Sequence, residues 1–122
     1  MSLTYAHEKL TSAVHILAIG PGDVRSRLWH AYLEFSPIRK DHLPVDLQSD
    51  YEWIIKQLTR YEPNEIERLR MGKGMVQATL SRIKNSTGAR IAQRIAELSS
   101  KVERALSLEN VNSGDAIPNS PR

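Results

Sequence analysis

Cysteine is absent from this chain of 122 residues. Without a thiol there can be no cysteine nucleophile, thiolate zinc site, iron–sulfur cluster or disulfide scaffold, and a reducing compartment fits. Long apolar runs are missing too. The longest uncharged stretch, Leu10 to Gly22, holds thirteen residues and includes Thr11, Ser12, His15 and Pro21, where a membrane-spanning helix needs about 20 apolar residues. No membrane segment is predicted. The first residues, Met1 to Lys9, carry Glu8 and no basic leader, so no export signal is expected and the location predicted is cytoplasmic. Strand patterning is almost absent: the one alternation, Leu43, Val45, Leu47, is interrupted by Pro44, which lacks a ladder donor.

What is present is helical spacing. Apolar residues make up 40% of the chain and charged ones 25%, a soluble globular balance. A domain of this length buries about two-thirds of its unfolded surface, enough for one core without staples. Leu3, Ala6, Leu10, Ala13, Val14 and Leu17 step by three and four, predicting a helix from about Thr4 to Ala18 that stops at Gly20-Pro21-Gly22. Asp23 is placed to cap a second helix, Val24 to Phe35, which Ser36-Pro37 ends. After a loop from Ile38 to Pro44, Leu47, Tyr51, Ile54, Ile55, Leu58 and Tyr61 form a third core stripe, with Asp46 as its candidate cap. Asn64 can cap a fourth helix. From Ile66 through Val76, Leu80, Ile83, Ile91, Ile95, Leu98 and Val102 to Ala105 the steps stay near 3.5, a stripe that can cover its own domain or form a dimer seam. Glycine costs about 1 kcal/mol inside a helix relative to alanine, so this stretch is expected to break near Asn85-Ser86-Thr87-Gly88. The fold class predicted is all-α, an irregular four- or five-helix bundle, with residues 1–107 as one domain and 108–122 as a disordered tail.

One further absence shapes the functional reading. Between Arg68 and Arg94 lie seven cations, Arg68, Arg70, Lys73, Arg82, Lys84, Arg90 and Arg94, and no carboxylate. Residues 1–62 hold seven Lys or Arg against eight Asp or Glu, whereas residues 63–107 hold nine against four. Such a field attracts phosphates, and Thr79, Ser81, Asn85, Ser86 and Thr87 can add hydrogen bonds. Arg68, Arg82, Lys84, Arg90 and Arg94 are accordingly the candidate nucleic-acid-binding residues; on one continuous helix Arg68, Arg82 and Arg90 would fall within roughly 80° of each other. The competing reading is that these cations pair with Glu8, Asp41, Asp46, Asp50 or Glu52 of the acidic half. Trp29 and Trp53 fall off their helices' apolar stripes and are candidate anchors for a partner or a second subunit.

Arg25-Ser26-Arg27-Leu28-Trp29-His30 sets an arginine five residues before a histidine. In a small all-helical chain this resembles the Arg-x4-6-His motif of the HEPN ribonucleases, helical bundles that act as dimers. The resemblance implies RNA cleavage by Arg25 and His30. It covers six residues, has Ser26 where the family commonly carries Asn, Asp or His, and lies on an early helix where the family's motif is late. No cofactor or metal is expected. Arg70-Met71-Gly72-Lys73-Gly74 lacks the spacing and preceding strand of a phosphate loop, and His7 and His15 are too far apart on one helix to share an ion. The function predicted is a non-enzymatic, self-associating helical module that contacts nucleic acid or an acidic protein through its basic C-terminal helices. The alternatives are a HEPN-like RNA-cleaving enzyme and a purely protein-binding accessory subunit.

Overall fold

The computed structural model describes residues 2–112, with side chains described through residue 110. Among them are six α-helices and no strand: α1 Leu3–Ile19, α2 Val24–Phe35, α3 Val45–Leu58, α4 Glu65–Leu69, α5 Met75–Arg82 and α6 Asn85–Asn112. The all-α helical bundle is as the periodicity predicts. A single 3₁₀ turn, Lys40–His42, lies between α2 and α3.

The first two helices begin and end where the chain's chemistry dictates. The Ser2 hydroxyl accepts the Tyr5 N–H at 3.2 Å and caps α1. Gly20 closes α1 by donating its N–H to the Ile16 carbonyl, and Gly22, at φ 85°, takes the left-handed turn that only glycine adopts freely. Asp23 caps α2 through a 3.0 Å hydrogen bond from the Ser26 N–H. Arg27 then reaches back and donates to the Leu17 carbonyl at 2.9 Å, satisfying an orphan acceptor in the last turn of α1. These contacts lock the α1–α2 corner.

Ala6, Leu10 and Ala13 of α1 face Leu28, Ala31 and Phe35 of α2 in the core, with Leu47, Tyr51, Ile54 and Leu58 of α3 and Ile91, Ile95, Leu98 and Val102 of α6 completing it. The main packing runs α1 on α2, α1 on α6 and α3 on α6. The long 3.5-spaced stripe is therefore spent on the chain's own core from Val76 to Val102.

Several boundaries differ from the sequence expectation. Pro44 and not Asp46 is the N-cap of α3, and the helix ends at Leu58, leaving Tyr61 exposed beyond it. The predicted fourth helix divides into α4 and α5 because Gly72 takes φ 65° and Gly74 becomes the N-cap of α5. The expected break at 85–88 is instead the first turn of α6; the actual interruption is at Ile83-Lys84. Gly88 is there for proximity, since a Cβ on it would lie 3.0 Å from Val24 Cγ1 and 3.4 Å from Leu28 Cδ1. α6 crosses α2 so closely there that a methyl group would push the Val24 side chain aside by a few tenths of an ångström. Finally, α6 continues to Asn112, so residues 108–112 are helix and not part of a tail. Ala105, Leu106, Leu108 and Glu109 are good helix formers that propagate an established helix. The remainder of the expected tail, 113–122, lies outside the described residues.

Candidate nucleic-acid interface

The break between α4, α5 and α6 places Arg68, Arg82 and Arg90 on three different helices, so the common face expected of one continuous helix does not form. Arg82 is committed within the chain: its guanidinium donates to Glu67 Oε1 and to the Ala78 carbonyl, each at 2.8 Å. Glu67 in turn accepts the Asn64 N–H while the Asn64 side chain accepts the Glu67 N–H, a reciprocal capping box. The Arg82 hydrogen bond, then the Asn64 N–H, hold the Glu67 carboxyl below the usual glutamate value. Lys73 adds a more distant attraction to the same carboxylate.

Arg94 lies over the Trp53 ring, 4.2 Å from its centre, and 3.9 Å from Glu97. This cation–π contact sets the Arg94 guanidinium over the Trp53 indole, which is half-buried against the core. None of the seven cations reaches a carboxylate of residues 1–62 among the described residues; the ion pair that joins the two halves there is Lys101–Asp50 at 2.9 Å. Arg68, Arg70, Lys84 and Arg90 stay exposed without an ion pair or hydrogen bond from their side chains. Lys84 directly precedes α6, whose first turn has no acidic residue. A cation at the positive end of a helix dipole is electrostatically unfavourable, and an anion bound there would relieve it.

Between α2 and α5 runs an open groove of about 290 Å³, lined by Asp23, Arg25, Ser26, Trp29, Lys73, Gln77, Leu80 and Ser81. It brings together Arg25, Trp29 and Lys73, three residues that arose from unrelated sequence arguments. Arg25 donates through Nε and Nη2 to Asp23 Oδ2 at 3.3 and 3.2 Å, and through Nη1 to the Ile83 carbonyl at 3.3 Å. Those bonds tie the α2 cap to the end of α5, one residue from Lys84. The Ser26 N–H and Arg25 hold the Asp23 carboxyl below its ordinary value. Trp29 is half-buried and stacks on Tyr32, ring centres 6.1 Å apart.

His30 is exposed on the same helix but does not line this groove. Its Nδ1 sits 3.0 Å from the Ser26 carbonyl, a contact that a protonated Nδ1 satisfies. Arg25 and His30 thus have separate partners and no hydrogen bond to each other. The groove itself could not have been read from the sequence, because Lys73 and Gln77 meet α2 only through the packing of α5 on it. Among the described residues no group of three His, Asp or Glu side chains is placed to hold a metal ion. No described helix is long and apolar enough to cross a membrane.

Fold and site together define an all-α bundle with an open, partly cationic groove beside a set of unpaired cations. Compared with known proteins, the chain matches no family model, no curated protein and no solved structure.

Proposed function

We propose that this chain is a non-enzymatic helical module that binds nucleic acid through phosphate contacts. The observation carrying this reading is that Arg68, Arg70, Lys84 and Arg90 remain exposed and unpaired in a stretch without a single carboxylate. Cations that neutralise nothing among the described residues suit the counterion-releasing contacts that drive such binding. The α2–α5 groove supplies the complementary features: Lys73 for a phosphate, Ser26, Gln77 and Ser81 for polar contacts, and the edge of Trp29 as an apolar surface for a base. RNA cleavage by Arg25 and His30 draws less support, since Arg25 is engaged with Asp23 and the Ile83 carbonyl.

A fluorescent single-stranded oligonucleotide titrated at 50 and 200 mM salt tests the proposal. Three phosphate contacts correspond to a roughly 20-fold loss of affinity over that range. Lys84→Glu combined with Arg90→Glu is expected to weaken binding further at low salt while leaving the helical spectrum intact. Absence of salt-sensitive binding, or binding indifferent to that double variant, overturns the reading. Fragmentation of RNA that stops in His30→Ala supports the enzyme instead.

A further inference from the structure

Arg25 and Trp29 stand four residues apart on α2, a spacing at which an arginine can lay its guanidinium on an indole. Arg25 does not do so, because its side chain is held elsewhere: Nε and Nη2 donate to Asp23 Oδ2, and Nη1 donates to the Ile83 carbonyl. Among the described residues no cation–π contact joins it to the Trp29 ring. Both side chains line the α2–α5 groove, so the space between them opens into it.

Taking phosphate binding as proposed above, without which this reading also falls, we infer that this space is a slot for one unpaired nucleobase and that the module takes single strands in preference to duplex. Three of the five guanidinium N–H groups of Arg25 are spent within the chain, so it offers the groove mainly its flat face. Tyr32, three residues beyond Trp29, stacks on the indole at an interplanar angle of 23° and occupies one side of it. Bases stack both on guanidinium planes and on aromatic rings, and the two surfaces lie here on one groove wall.

The opposite wall supplies what the rest of a nucleotide needs. Gln77 is half-buried, and its amide makes no hydrogen bond among the described residues, which leaves donors and an acceptor for a base edge. Lys73 is half-buried as well, and its ammonium makes no ion pair or hydrogen bond among the described residues, which suits the phosphate beside the seated base. A paired base reaches such a slot only by leaving its stack, a cost that an unpaired base does not bear. Duplex is left with the exposed cations alone.

Three ligands of equal length, compared at 200 mM salt, test the slot: a single strand, the same sequence as duplex, and an abasic strand that keeps every phosphate and lacks the bases. The single strand is expected to bind about tenfold more tightly than the abasic strand, and more tightly than duplex. Trp29→Leu, which keeps an apolar side chain against the core, should bring the preference over the abasic strand to within about twofold; circular dichroism confirms its fold. Fluorescence gives a second readout: the base-bearing strand should quench indole emission, and the quenching should vanish in Trp29→Phe, where only Trp53 emits. The series is run in DNA and in RNA; a preference of this size in either supports the slot, and the larger one identifies the strand it takes. Equal affinity for the abasic strand, duplex bound as tightly as single strand, or quenching undiminished in Trp29→Phe overturns the inference. The Lys84→Glu, Arg90→Glu double variant reads the phosphate contacts separately: if it still weakens binding, the slot alone has failed, whereas binding indifferent to salt and to that variant removes both readings.

Discussion

Tyr51 shows how much one buried hydroxyl can specify. Its ring packs edge-on against Phe35, 6.3 Å between centres, and its OH donates to the Ile38 carbonyl at 2.7 Å, fixing the loop after α2 against α3. Burial, with a smaller contribution from Tyr32, pushes its pKa up to about 12. The neutral form is favoured in the folded state, so this stabilisation is complete below pH 10 and is lost as pH rises from about 10 to 12. Absorbance titration is expected to find one of the four tyrosines ionising about two pH units after an ordinary one. Tyr51→Phe leaves the Ile38 carbonyl without its donor and should cost about 1–2 kcal/mol in denaturant unfolding. The sequence already placed Tyr51 on the core stripe of α3. Its partner was not legible, because a backbone carbonyl thirteen residues away carries no signal in side-chain type.

At the scale of elements, legibility followed local chemistry. α2 was readable at both ends because Asp23 and Ser36-Pro37 act on their immediate neighbours. The division of α4 from α5 was misread because a glycine inside a helical pattern has two physical meanings. Gly72 is a backbone requirement, with positive φ, whereas Gly88 is a packing requirement imposed by α2. Only the crossing partner tells them apart. Gly88→Val is expected to force α6 away from Val24 and Leu28 and destabilise the fold by about 1–3 kcal/mol, beyond any propensity gain; thermal denaturation measures it. Gly74 has open space around it, so alanine there should cost no packing and only the few tenths to about 1 kcal/mol of a poorer N-cap for α5. The candidate interface was legible in its ingredients and not in its assembly. The surplus of cations could be counted, but which ones are spent, Arg82 on Glu67 and Arg94 on Trp53, depends on three-dimensional neighbours.

For the whole molecule, the carboxylates set the acid limit. Asp23, Asp41 and Glu67 all titrate below their ordinary values of 3.8, 3.8 and 4.5, held there by hydrogen bonds from Ser26 and Arg25, from Arg39, and from Arg82 and Asn64. A depressed carboxyl contributes stability that is present above its unfolded pKa and is lost as pH falls through the folded one. The melting temperature is therefore expected to hold between pH 7 and 5 and fall below about pH 4.5. Glu67→Gln should flatten the part of that fall due to its own ionisation, as circular dichroism melts at pH 7 and 3 would show.

The polar fastening of α4 carries a kinetic consequence. Held by the Glu67–Arg82 ion pair and, just before it, by the Thr79 hydroxyl, which accepts the Tyr61 N–H at 2.9 Å, α4 can detach while the helices around Ile95 and Leu98 stay closed, so it behaves as its own cooperative unit. Deuterium should enter the amides of residues 65–71 long before those of 91–102, and a protease given the native chain should nick it first near Arg68 or Arg70. Where Arg82 lets go, the molecule begins to come apart.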